Sequence, residues 1–269
     1  MKEYNKYYWE NKSQRTEIAK KHTREMDSKY AIEINESVKN TKVYSVLPTL
    51  DNLSFRKENI RLSVKEKDSV SALLDCKPGD GRVAILNFAS YKHPGGGFMV
   101  GSRAQEESLC HESFLYNVLR EFDNTYYEEN RNALNKGLYK HRALYSPNVR
   151  FIRDNNETIC DVITCAAPNF SAAERHVSRE YNNRVLTERV RFVLDIAKRE
   201  NVDTFIVGAF GCGVFRQDPK VLADCFEREM KKVFVDKKIH IIFAVIPPLP
   251  NQSDNLTPFI QLVQKWNKI

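Results

Sequence analysis

The sequence predicts an α/β domain organised on a central sheet, preceded by a helical extension. Three observations predict it: short apolar runs of strand type, amphipathic stretches of helical spacing between them, and glycine clusters directly after two of the runs. Residues 1 to 50 are polar and charged, and the stretch RTEIAKKHTREMDSKYAIEI has helical composition with a thin apolar stripe, so this part is read as an extension packed on a main domain at 51 to 269. Five apolar runs follow: NIRLSV (59–64), RVAILNF (82–88), ICDVITCAAP (159–168), DTFIVGAF (203–210) and IHIIFAVIP (239–247). Short β-branched and aromatic runs with little polar alternation suit strands buried on both faces. Between them, Leu186, Val190, Val193 and Ala197 recur at helical spacing within 181–199, as do Leu222, Cys225, Phe226, Met230 and Val233 within 218–234. A helix is expected over 105–122, and PPLPNQ (247–252) reads as a turn before a last helix. Strands alternating with amphipathic helices give a sheet covered by helices.

Composition narrows the function classes. Forty-two Lys and Arg against thirty-five Asp and Glu leave a net charge of +7, which suits a phosphate-rich partner. No patterned basic helix or aromatic platform marks a sequence-specific nucleic-acid reader. The opening residues MKEYNKYYWENKSQR contain no apolar h-region, and no apolar run is long enough to span a bilayer, so an intracellular place, cytoplasmic or nuclear, is expected, with no membrane partner. Cysteines 76, 110, 160, 165, 212 and 225 form no CxxC pair and read as reduced core residues. No His, Cys and carboxylate spacing suits zinc, so neither a metal nor a cofactor is expected.

Both glycine clusters sit where an α/β sheet binds ligands, at the carboxyl ends of strands. The first, NFASYKHPGGGF, puts three of the chain's ten glycines side by side; the second is GAFGCGVFRQDP. Glycine lets backbone N–H groups approach a phosphate closely, so two such loops can clasp a diphosphate. Gly208, Gly211 and Gly213 have the reverse of the dinucleotide fingerprint spacing, and no Gly-Lys-Ser/Thr completes a Walker A loop. The holder is of neither common kind.

Taken together, NFASYKHPGGGFMVGSRAQEES and GAFGCGVFRQDP resemble the bacterial-type poly(ADP-ribose) glycohydrolases, a family with the macrodomain fold, marked by a triple glycine followed at short distance by Gln-Glu-Glu. The resemblance, which the polar N-terminal extension extends over nearly the whole chain, implies a macrodomain-like three-layer fold with a central mixed sheet. It implies metal-independent hydrolysis of the ribose–ribose O-glycosidic bond of poly(ADP-ribose), free or on protein, from the chain terminus, with ADP-ribose as product. Carried onto this sequence, Gly95, Gly96 and Gly97 lie against the distal ribose and diphosphate, Gln105 precedes the acidic pair Glu106 and Glu107, and Gly211, Cys212, Gly213 and Val214 form the second phosphate loop. Phe215 orients the distal ribose, and Asn87 and Ser90 fall in the substrate-binding stretch before the triple glycine.

Cleaving a ribosyl bond requires a proton on the leaving oxygen and a water at the anomeric carbon, and one carboxyl group can donate and then accept that proton. Adjacent residues on one helix stand about 100° apart around its axis, so Glu106 and Glu107 cannot flank one bond as the usual glycosidase pair does. Counting back along Phe122, Val118 and Phe114 aims Glu107 inward and leaves Glu106 at the rim. A Glu pair at a helix start is also ordinary dipole chemistry, and Phe215 also suits core packing. Two other readings use the same diphosphate cradle: a non-catalytic ADP-ribose-binding module, which has no need of the Gln-Glu-Glu, and a hydrolase of mono-ADP-ribosylated protein or nucleic acid.

Overall fold

The structure, a computed structural model, describes residues 11–49, 54–251 and 253–268. Most of the extension and of the main domain therefore lies within it, while the first ten residues, on which the expectation of no leader segment rests, lie outside the described residues. Seven strands form one mixed sheet: β1 (Lys42–Tyr44), β2 (Ile60–Lys65), β3 (Val83–Phe88), β4 (Ala143–Arg153), β5 (Asn156–Cys165), β6 (Thr204–Val207) and β7 (Ile239–Ala244), in the order β1-β4-β5-β3-β6-β7-β2. From β5 to β2 the neighbours run parallel, and β4 and β1 close the other edge antiparallel.

Helices cover both faces. The strand alternation shows why: Ala84, Leu86, Phe205, Val207, Ile241 and Phe243 face one apolar core, while Ile85, Ile206 and Ile242 between them face the other. The first core is closed by α8 (Arg179–Arg199), α9 (Pro219–Val233) and α10 (Thr257–Lys268), while α6 (Glu128–Arg131) and α7 (Phe170–Ala173) are four-residue helices in the connections. The second is closed by α1 (Lys12–Lys29), α2 (Ala31–Asn40), α3 (Ser69–Leu74), α4 (Gln105–His111) and α5 (Leu115–Leu119). The expected three layers around a mixed central sheet are the observed architecture, and among the described residues no helix is long and apolar enough to cross a membrane.

Three expectations are corrected in detail. The runs ending at 168, 210 and 247 continue past the last strand residues Cys165, Val207 and Ala244, because the apolar residues that follow are loop residues at the sheet's carboxyl edge, buried at Ala166, Ala167, Phe210 and Val245. Strand β4 escaped the reading since Pro147 and Asn148, at φ +57°, break its alternation at a bulge between Ser146 and Val149. The helix expected over 105–122 is two helices. Ile152 donates its N–H to the Glu112 carbonyl at 2.7 Å, Ser113 bridges to Phe151, and Arg153 takes the Glu112 carboxylate, so strand β4 draws the chain out of helix at 112–114.

The N-terminal extension is fastened to the back of the first glycine loop. Helix α1 starts at a capping box, where the Asn11 side chain accepts from Gln14 N–H and Gln14 Oε1 accepts from Asn11 N–H. Its buried line, Arg15, Ala19, Thr23 and Met26, is the thin stripe seen in the sequence. Arg15 Nε donates to the Gly101 carbonyl at 2.8 Å, His22 meets Phe98 edge-on, and Asp27 takes the Arg120 guanidinium at 2.8 and 3.0 Å. After α2, β1 joins the sheet beside β4, so the extension ends as an edge strand.

Gly101, at φ +73°, has no room for a Cβ, which would collide with the Lys12 carbonyl. Gly101→Ala is expected to lower stability by at least about 1 kcal/mol from left-handed strain alone, with the collision adding to it. Thermal unfolding and limited proteolysis are the measurements: cleavage should begin in α1 while the sheet stays protected, and a variant as stable and as resistant as the parent contradicts this account of the docking.

Candidate active site

The carboxyl ends of β5, β3, β6 and β7 lie side by side, and everything singled out as a site residue is hung from them. Asn87 lies near the end of β3 itself, the loop after β3 carries Ser90 and the triple glycine, and the loop after β6 carries Gly211 to Phe215. Because β3 and β6 are paired, the two glycine loops leave neighbouring strands at the same edge.

Helix α4 is set against β3 by Gln105. Its Oε1 accepts the Phe88 N–H at 2.9 Å, and its Nε2 donates to the Leu86 carbonyl at 2.9 Å and to Ser69 Oγ at 3.2 Å. Glu106 follows. Its Oε1 accepts from Asn87 Nδ2 at 3.1 Å and its Oε2 from the Ser90 N–H at 2.7 Å, which leaves the side chain 2% exposed. Glu107, 6% exposed, accepts the Gly97 N–H on Oε1 at 2.8 Å, while its buried Oε2 finds no partner among the described residues. Glu106 is therefore not a rim residue, as the helical count had it: that count ran its phase through the break at 112–114.

The triple glycine is the floor on which both carboxyls rest. Gly96 has φ +60°, and a Cβ on it would stand 2.7 Å from Glu107 Oε1 and 2.8 Å from Glu106 Oε2. No other residue type leaves space for both. Burial, reinforced by the neighbouring Glu107, pushes the Glu106 carboxyl up to about 8 against the Ser90 and Asn87 hydrogen bonds. Burial thus favours the protonated form of Glu106 at neutral pH.

Opposite stands the second loop. Gly211, at φ +80°, faces Ala167 so closely that a Cβ would lie 2.6 Å from the Ala167 Cβ. Gly213 and Val214 are exposed, Val214 by 84%. The half-buried Phe215 is braced by the Tyr139 ring at 6.1 Å, and its carbonyl accepts the Phe170 N–H at 3.0 Å. Burial pushes the Cys212 thiol up to about 12, so it is no nucleophile at neutral pH.

A cavity of about 380 Å³ lies against the second loop, lined by Gly211, Gly213, Val214, Phe215 and Gln105 together with Arg103, whereas Gly95 to Gly97, Glu106 and Glu107 are not part of its lining. It adjoins a second of about 260 Å³ between α3 and the chain after β7, and the two share Phe88, Ala104, Gln105, Ala209 and Asn255. Arg103, Phe88 and the segment 244–248 were missed in the sequence; the rule that ligands gather at strand carboxyl ends points to the last two. Asn87, fully buried, and Gln105 work mainly beneath the site, holding Glu106 and β3.

Comparison with known proteins gives a consistent result. A family model described as the microbial-type PARG catalytic domain matches residues 8–154, which take in the triple glycine and both glutamates. No curated protein sequence matches. Among solved structures, the poly(ADP-ribose) glycohydrolase of Thermomonospora curvata bound to the inhibitor ADP-HPD is 29% identical over 94% of this chain and 99% of its own, with a TM-score of 0.77. The poly(ADP-ribose) glycohydrolase of Deinococcus radiodurans in complex with ADP-ribose is 29% identical over 86% of this chain and 97% of its own, with a TM-score of 0.75.

The raised Glu106 carboxyl has a consequence for stability. Its native state holds the proton up to about pH 8, whereas an unfolded carboxyl releases it near 4.5. Its contribution is therefore full below about pH 4.5 and falls as the pH rises toward 8. Glu106→Gln, which cannot ionise, should gain on the parent in melting temperature between pH 5 and pH 8. Paired thermal melts across that range check it, and parallel curves would contradict a proton held on Glu106.

Proposed function

The chain belongs to the family of microbial-type poly(ADP-ribose) glycohydrolase catalytic domains, and from that premise we propose how its own residues carry out the hydrolysis of poly(ADP-ribose). The observation that carries the mechanism is the unpartnered Oε2 of Glu107, a buried carboxyl oxygen at the triple-glycine turn. A buried polar atom left without a hydrogen bond costs about 1–3 kcal/mol, and a substrate oxygen placed there relieves that.

In this reading the diphosphate lies across the 380 Å³ cavity against the backbone of Gly211, Cys212, Gly213 and Val214, with Arg103 at its edge supplying positive charge. The adenine takes the neighbouring cavity past Phe88 and Val70. The terminal ribose then sits between Phe215 and the turn at Gly95, Gly96 and Gly97, above the glutamates. Glu107 gives a proton through Oε2 to the leaving ribose oxygen and takes one from the water that attacks the anomeric carbon. The Gly97 N–H on its other oxygen keeps Oε2 aimed. Glu106, neutral at pH 7, orients a ribose hydroxyl and spares the site two adjacent negative charges; Asn87 and Ser90 hold it in place.

Residues 1 to 50 serve as an extension of the catalytic domain at 51 to 269. We place the protein inside the cell, where six free thiols are at home. Its partners are then poly(ADP-ribose), free or attached to protein, and the product ADP-ribose. Because α1 starts beside Gly101, next to the outer end of the glycine loop, we propose that the extension limits the site to the last unit of a chain.

Two experiments test these assignments. Incubation with poly(ADP-ribose) and with mono-ADP-ribosylated protein, reading products by size, should give ADP-ribose from the polymer from the first turnovers. Early oligomers contradict terminal cleavage, and release from the mono-modified protein alone favours the mono-ADP-ribosyl hydrolase. Second, Glu107→Gln should lower turnover by about two to four orders of magnitude with near-normal ADP-ribose affinity, and Glu106→Gln should lower it less. An active Glu107→Gln means that another group is the acid.

A further inference from the structure

Tyr139 holds a backbone conformation that a bulky side chain rarely adopts, φ +60°. Such strain persists only where the surroundings over-determine it, and it gathers at functional sites. Here the surroundings are specific. Arg189 on α8 is fully buried, and its guanidinium donates to the carbonyls of Leu138 at 3.3 Å, Tyr139 at 3.4 Å and Ala166, and to His141 Nδ1 at 3.0 Å. Its partners are thus carbonyl oxygens and an imidazole; burial pushes His141 down to about 4, so that ring is neutral and can accept. A guanidinium withdrawn from water to hold a loop is a large outlay for simple core filling. Asn169 Nδ2 reaches the Tyr139 hydroxyl at 3.5 Å, and the Tyr139 N–H donates to the Leu134 carbonyl at 3.2 Å.

What this holds is a ring between the two glycine loops. On one side Tyr139 lies flat on Tyr91, centroids 4.2 Å apart and planes 10° apart. Tyr91 directly follows Ser90, whose N–H holds Glu106. On the other side the Tyr139 ring meets Phe215 at 6.1 Å and 64°. Tyr91, Tyr139 and Ala166 form a small apolar cluster of their own, and Phe215 packs both against it and against the first main core.

We propose that Tyr139 is a positioning residue for the reaction: clamped by Arg189 in a left-handed conformation, its ring fixes Phe215 at a set distance and angle from the Tyr91–Glu106 side of the cleft. This rests on the reading of Phe215 as the aromatic against the terminal ribose. Diphosphate and adenine contacts lie outside the bridge, so its loss misplaces the reacting ribose while leaving most of the binding in place.

The test uses the full chain with poly(ADP-ribose) turnover, ADP-ribose titration and thermal melts on each variant. Tyr139→Asn removes the ring yet tolerates positive φ, and should lower kcat roughly ten- to hundredfold while ADP-ribose affinity stays nearly unchanged. Tyr139→Phe should recover most of that loss. Phe215→Leu should be impaired on its own, and the double variant Tyr139→Asn/Phe215→Leu no worse than Phe215→Leu, since both act through one ring. If Tyr139→Asn does not fold, Tyr139→Leu carries the same expectation. A normal kcat in folded Tyr139→Asn, or losses that multiply in the double variant, overturns the proposal while leaving the ribose reading standing. A fully active Phe215→Leu overturns that reading, and the proposal with it.

Discussion

The side-chain amide of Gln105 pairs with β3 as a further strand would, accepting from Phe88 and donating to Leu86. That pairing fixes where α4 begins, and the start of α4 decides where the next two side chains stand. Glu106 then falls under the Ser90 N–H and Glu107 under the Gly97 N–H, with Gly96 leaving the volume that two carboxyls need. Slide the helix by part of a turn and neither donor reaches its carboxylate. The Gln in Gln-Glu-Glu is thus as much a geometric requirement as the two acids.

Much of this was legible from residue type and order. The parallel core of the sheet showed as apolar runs because strands covered on both faces need apolar side chains at most positions, and α8 and α9 showed their buried stripes at helical spacing. The glycine loops were legible because few residues other than glycine occupy their turns. What escaped depended on contacts distant in sequence. The break after His111 comes from Phe151 to Arg153 on another strand, and no local pattern announces it. The burial of Glu106 followed from that break, so a count of helical phase across it gave the wrong face. Tyr139 and Arg189, far apart in sequence, carry no motif, and their relation exists only in the folded chain.

The extension and the triple-glycine loop are held by one set of contacts. Arg15 is buried against the carbonyl of Gly101, His22 against Phe98, and the far end of α1 is tied to α5 through Asn117 and to Arg120 just beyond it. The turn bearing Gly95 to Gly97 thus has the acids on one side and α1 behind its continuation. Rigidity at the glycines, which have the least intrinsic preference for any conformation, is supplied from outside.

The sheet order also sets the timing of assembly on the ribosome. Strand β2 is made well before β7, yet the two pair, Ile60 opposite Ile239. Until that last strand is synthesised, β2 carries an unpaired backbone edge, the kind of template that invites association with other nascent chains. The cleft is likewise incomplete until then, since the segment following β7 forms one wall of the second cavity. The second cavity therefore cannot close before β7 and the segment that follows it have been made.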